Sequence, residues 1–277
     1  MRTGSISVIV RCKDKAETIE RTFASIRAQT LESEIVVVDS GSRDGTLAMA
    51  RQWADVVVEI PPATFTFGRA LNVGARAATG SIHAAVSAHV ELPDDRWLER
   101  AAAHLAQPGV AGASGSSFNA DGDVLLEPVP QTIADWIPTW GFSNTAAAWR
   151  QQVWTEHLFD ERMSACEDKE WAWRVLRAGW SIVIDPWLVV SGVHRRRAGV
   201  RDLWRRCTAE NYELVLRTAM QPVGARDAIS RWWSDITPDE RTPPLLQRLS
   251  YFRAIEIAGS YIGSRRALRV RARGGDA

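Results

Sequence analysis

Apolar positions fall into two rhythms along the first third of the chain. Ser5–Val10 is a short run of buried-strand character, whereas Ala16–Ala28 places Ile19, Phe23 and Ile26 on one helical face. The pair repeats. Glu34–Val38 predicts a second strand and Thr46–Trp53 a helix, then Asp55–Ile60 a strand, Arg69–Ala78 a helix and Ile82–Val90 a fourth strand. Strands that alternate with helices imply an α/β protein with a mostly parallel sheet covered on both faces. The middle is less regular. It offers a strand near Val110–Ala113, a turn at Asp121-Gly122-Asp123, an amphipathic helix over Glu167–Ala178 closed by Gly179, and a strand over Trp180–Ile184. Beyond Gly199 the pattern is helical, around Leu203–Ala219 and Leu245–Arg269, with proline turns at Pro222 and Pro243-Pro244. The predicted domains are therefore a sheet domain, 1–199, and a helical C-terminal extension, 200–277.

With 45% apolar and 24% charged residues in 277, the chain can bury a sizeable core, which excludes a disordered or collagen-like protein. No apolar run approaches the roughly 20 residues that span a bilayer. The N-terminus enters a strand pattern without an apolar leader, and Cys12, Cys166 and Cys207 have neither metal spacing nor a paired framework, so a reducing cytoplasm is the expected location. The net charge of +1 conceals an asymmetry. From Trp187 onward there are 17 Arg against 9 Asp and Glu, so the acidic excess lies in the first part. This basic end, and Ser264–Arg273 in particular, is expected either to lie against anionic lipid at the inner face of a membrane or to support self-association. Nucleic acid is not an expected partner, because basic and aromatic residues do not interleave. Most of the 13 Trp are expected in the core.

In an open α/β sheet, ligands bind beyond the carboxyl ends of the strands, so Arg11, Asp39 and the end of the fourth strand should meet at one crevice. Asp39 follows an aliphatic strand and precedes Ser40-Gly41-Ser42. There it can accept hydrogen bonds from a ligand or brace its own turn. The run Val37–Thr46, VVDSGSRDGT, resembles the nucleotide-binding turn of the family 2 glycosyltransferases, enzymes of the Rossmann-like GT-A fold. Val8–Ile19 resembles the opening strand and loop of that family, with Asp14 where Asn is usual, and Phe67–Gly74 is similar to its donor-side segment. The resemblance implies donor contacts from Arg11, Asp14, Glu17, Asp39, Arg69 and Asn72. Arg69 also suits a diphosphate on charge alone, or a solvated helix start, and helix packing explains Asn72 nearly as well.

Where the family has Asp-x-Asp, this chain has Ser87-Ala88-His89, a variant resembling a subset found in bacterial pathways. The resemblance implies that Ser87, Ala88 and His89 face the donor. His89 and His194 would then ligate a divalent cation, with Mn²⁺ suiting imidazole better than Mg²⁺. Glu167-Asp168 resembles the Glu-Asp motif whose aspartate is the catalytic base of inverting members. Ser164 and Glu167 have the spacing of a capping box, which leaves Asp168 for chemistry at a helix N-terminus whose dipole favours a carboxylate. Arg195-Arg196-Arg197 would either neutralise the departing diphosphate or form a solvated surface. Trp136, Trp140 and Asn144 are similar to the acceptor side. The implied reaction moves a sugar, hexose or deoxyhexose, from a nucleotide-diphosphate donor to a hydroxyl of a glycan, a lipid-linked or a small-molecule acceptor, with inversion. The alternatives are a non-catalytic nucleotide-sugar binder and a sugar nucleotidyltransferase. The second expects a glycine-rich phosphate loop after the first strand, which Arg11–Asp14 lacks.

Overall fold

Alternation along the first strands sorts side chains to the two faces of one sheet. In the computed structural model, which describes residues 5–192, 199–236 and 247–273, β1 (Ile6–Cys12) sends Ile6, Val8 and Val10 to one apolar cluster and Ile9 to another. Strands β2 (Ser33–Asp39), β3 (Val56–Glu59) and β4 (Ile82–Ser87) join β1 in parallel, linked by helices α1 (Ile19–Arg27), α2 (Thr46–Trp53) and α3 (Phe67–Ala77). The sheet continues through β5 (Val110–Gly115), β6 (Val129–Gln131), β7 (Ala146–Arg150) and β8 (Ser181–Asp185), in the order β3-β2-β1-β4-β7-β5-β8-β6. Only β7 and β6 run against the rest, so this is the mostly parallel, helix-flanked α/β sheet the pattern implies. Helices α1 and α4 (Trp97–Ala106) contribute to the first cluster. Helix α3, with α5 (Gln151–Glu156) and α6 (Glu167–Arg177), contributes to the second. Close approach of α3 depends on Gly74, where a Cβ would stand 2.5 Å from Ile9 Cγ2.

The fourth strand stops at Ser87, three residues before its predicted end, because the amides of both His89 and Val90 donate to the Ser87 carbonyl and turn the chain. Thr18 and Thr22 fix that turn through hydroxyls that donate to the carbonyls of Ala88 and Val90, at 2.8 Å each. Of the tryptophans, Trp97, Trp149 and Trp171 are fully buried, whereas Trp187 is 58% exposed.

The described residues divide into two compact units, 5–162 with 167–192, and 163–166 with 199–236 and 247–273. The second contains α7 (Val200–Arg217), α8 (Ala225–Ile236) and α9 (Gln247–Ala272). Val215 and Leu216 of α7 bury Ala267 of α9, and Arg271 donates to the Leu216 and Thr218 carbonyls at 3.1 Å, closing the C-terminus of α7. No helix among the described residues is long and apolar enough to cross a membrane.

His83 on β4 is fully buried against the rings of Trp149 and Trp154, and burial pushes it down to about 4. The unfolded chain takes up that proton near pH 6.5, so the stability gained from neutral His83 is complete above this pH and lost as pH falls through about 4. His83→Leu is expected to remove this part of the acid sensitivity. Urea denaturation of the two proteins should show the wild type losing on the order of 3 kcal/mol relative to the variant between about pH 7 and about pH 4. A difference independent of pH would contradict it.

Candidate active site

The sheet register aligns three strand ends: Cys12 lies opposite Asp39, and Arg11 opposite Ser87. Beyond them the 13–18 and 40–46 loops are laced together. Asp39 Oδ2 accepts from the Gly41 and Ser42 amides at 2.9 Å each, and its Oδ1 accepts from the Ser42 hydroxyl and from Cys12 Sγ. Asp14 accepts from the Arg43 amide at 2.8 Å, and Asp44 from that of Ala16 at 3.1 Å. Asp39, 1% exposed, thus braces its own turn. Asp14 braces the same turn from the opposite loop, and Glu17 is exposed beside it.

His89 stands half-buried in the turn after β4. Burial first, then the positive charges of Lys15 and Arg11, hold its pKa below the ordinary 6.5, so the imidazole is neutral at pH 7. The same charges make this end of the sheet receptive to an anion.

Arg11 crosses from β1 to the start of α6. Its Nη2 donates to the Asn144 carbonyl (3.1 Å) and to Asn144 Oδ1 (2.9 Å), and its Nη1 lies 3.5 Å from Glu167 Oε1. Asn144 is the hub. Its amide side chain donates to Glu167 Oε1 and its backbone N–H to Asp168 Oδ2 at 3.1 Å, while Asp168 Oδ1 accepts from the Lys169 amide at 2.8 Å. Two adjacent carboxylates are therefore held by one buried guanidinium and one asparagine. Asn144, the residue expected on the acceptor side, bonds to both members of the acidic pair. Phe67 was read only as part of a motif, and its ring lies under Arg11, 5.4 Å from the guanidinium carbon.

Other expectations need correction. Asn72 is fully buried with its side chain saturated: it donates to the Phe159 carbonyl (2.8 Å) and Glu161 (3.0 Å), and accepts from Trp154 Nε1 (3.0 Å) and the Phe159 amide (3.1 Å). It has no capacity left for a donor. Arg69 sits at the start of α3 with its side chain 45% exposed and pairs with Glu161 at 3.7 Å. Trp136 and Trp140 are half-buried against the second core cluster, and Trp140 donates to the Phe118 carbonyl at 2.6 Å. The capping box does not form. Helix α6 begins at Glu167 itself, and the Ser164 hydroxyl donates to Glu213 at 2.9 Å. His194 and Arg195–Arg197 lie outside the described residues. Among the described residues no three His, Cys, Asp or Glu side chains gather as a metal cage.

A mostly parallel, helix-flanked sheet with braced loops at its strand ends and an acidic pair near a basic strand end defines an open-sheet α/β protein. The sequence pattern of glycosyl transferase family 2 matches residues 7–169, and the chain belongs to this family. It is 30% identical over 120 residues to the glycosyltransferase AglE of Haloferax volcanii, a match covering 40% of this chain and 38% of the relative. The fold is that of GT-A glycosyltransferases. The mannosyltransferase PcManGT of Pyrobaculum calidifontis, solved with GDP-Man and Mn²⁺, superposes with a TM-score of 0.61 at 22% identity, over 99% of this chain and 76% of that one. The S. aureus protein TarS 1-349, solved with UDP-GlcNAc, gives 0.55 at 16% identity, over 98% and 92%.

Burial and the neighbouring Asp168 push Glu167 up to about 7, against the opposing pull of Arg11. A carboxyl raised above its ordinary 4.5 favours the fold fully below that pH and loses this contribution as pH rises through about 7. Glu167→Gln is fixed in the neutral form. Its stability relative to the wild type, read by urea denaturation, is expected to improve by on the order of 2 kcal/mol between about pH 5 and about pH 8. No change with pH would contradict the assignment.

Proposed function

We propose that this protein transfers a sugar from a nucleotide-diphosphate donor to an acceptor hydroxyl with inversion, and that Asp168 is the general base. The supporting observation is the fixing of Asp168 at the N-terminus of α6 by the Asn144 amide, beside the buried Arg11–Glu167 pair. Family membership supplies the reaction class, and the nucleotide sugars bound by PcManGT and TarS make a nucleotide-diphosphate sugar the natural donor here. The braced 40–46 turn would receive the nucleotide, and the positive field of Arg11 and Lys15 its diphosphate. Asp168 then takes the proton of the acceptor hydroxyl as its oxygen attacks the anomeric carbon opposite the leaving group. A divalent cation fits only partly: neutral His89 offers one nitrogen, so donor phosphate oxygens, and His194, would complete the ligand set. When bound, the ion takes up charge on the leaving diphosphate.

Asp168→Asn is expected to lower turnover by on the order of a thousandfold while leaving nucleoside-diphosphate affinity within about twofold, with rate and affinity measured on the same preparation. Unchanged turnover would remove Asp168 from the reaction, and the absence of both transfer and donor hydrolysis in the wild type would favour a non-catalytic binder.

A peripheral membrane role belongs to the same reading. Arg265 and Arg269 are exposed one turn apart on α9, within about 40° of its circumference, and Arg273 is exposed just past the helix end, so basic residues concentrate there. Deleting everything from Ser264 would be a poor test, because Ala267 and Arg271 hold α7. Replacing the three arginines by Glu is expected to lower co-sedimentation with phosphatidylglycerol vesicles at low salt several-fold. An unchanged pellet fraction would reject lipid contact.

A further inference from the structure

The helical unit holds a cavity that uses none of the residues assigned to sugar transfer. It is open to solvent with a volume of about 510 Å³, and its lining includes Trp204, Arg205, Thr208 and Tyr212 of α7, Arg266 of α9, and Ser164. That volume falls within the range of small-molecule sites. The α7 residues follow the spacing i, i+1, i+4, i+8, which confines them to about 100° of the helix surface and presents an indole, a guanidinium and a phenol on one face. Helix α9 is brought close by glycine: a Cβ at Gly263 would stand 2.3 Å from the Thr208 carbonyl oxygen. The remaining wall is fixed by Glu213, which accepts from the Ser164 amide and hydroxyl at 2.9 Å each and from Arg217 Nε at 2.9 Å.

Charge is the informative feature. Glu213 is committed to Ser164 and Arg217, and Glu210 pairs with Arg206 at 3.6 Å. Arg205 and Arg266 line the cavity from two helices, and neither has a hydrogen bond or ion pair with another described residue. Two like charges brought to one cavity repel, and an anion between them turns that repulsion into attraction. The half-buried faces of Trp204 and Tyr212 meanwhile suit a flat ring. Inorganic phosphate would satisfy the arginines and leave the rings unused, and a neutral sugar would do the opposite.

We propose that this cavity binds a phosphate monoester carried on a ring, with Arg205 and Arg266 holding the phosphate and Trp204 and Tyr212 flanking the ring. Free sugar phosphates and the phosphorylated inositol ring of a phosphoinositide lipid share this chemistry.

Calorimetric titration of the full chain with phenyl phosphate tests the site. Saturable binding is expected, weakened about tenfold or more by either Arg205→Gln or Arg266→Gln, with Trp204→Ala weakening phenyl phosphate more than inorganic phosphate. Nucleoside-diphosphate affinity should be unchanged in all three variants, which separates this site from the proposed donor cleft. Both arginines are exposed, so their replacement leaves the helix packing in place. Competition by glucose 1-phosphate would identify a soluble ligand, and competition by phosphatidylinositol 4-phosphate vesicles alone a lipid headgroup. Absent binding, or an isotherm that none of the three variants alters, would overturn the proposal. Neither result depends on whether Asp168 is the base.

Discussion

A buried guanidinium paired with one carboxylate of an adjacent acidic pair is the constraint on which the site is built. Arg11 ends β1, Glu167 begins α6, and Asn144 lies in the loop before β7, so one set of contacts ties the sheet centre to the helix that carries the acidic pair. Burial acts against each charge. It pushes Arg11 below its ordinary value and Glu167 above, and each is partly restored by the other. Removing either partner leaves the other to neutralise or to find water. The geometry of Asp168 therefore depends on a pair that does not itself need to touch a substrate.

The rest of the site follows from strand register. Parallel pairing of β1 with both β2 and β4 brings the ends of all three strands level, and the loops that leave them are stiffened by Asp14, Asp39 and Asp44. These acids act mostly on backbone amides, so the basic side chains Arg11 and Lys15 set the field at His89. A rigid, positively biased strand end is a surface onto which a diphosphate can dock without reorganising the protein.

Much of the sheet was legible because alternation and helical spacing are local signals. Thr46–Trp53 matches α2 to the residue, and α6 is foreshadowed by its amphipathic pattern and the closing Gly179. Helix α4 was missed although Trp97, Leu98, Ala101, Ala102 and Leu105 form one apolar face, since its alanines blur the contrast with the following strand. Strand β7 was missed because Ala-Ala-Ala-Trp-Arg has little strand character and is held by its neighbours. The site was legible as a set of residues more than as a set of roles. Asn72 and Asn144 look alike in sequence, yet one is saturated inside the fold and the other bonds to Arg11, 133 positions away. Spacing suggested that Ser164 caps the helix, and only the fold shows Glu213 taking its hydroxyl.

The most direct measurement is the ionisation of Glu167 itself, followed by ¹³C NMR of its side-chain carboxyl in the wild type and in Arg11→Met. If the guanidinium sustains the acidic pair, the wild-type midpoint lies at about 7 and rises by at least about one unit in the variant. Identical midpoints in the two proteins would contradict the account.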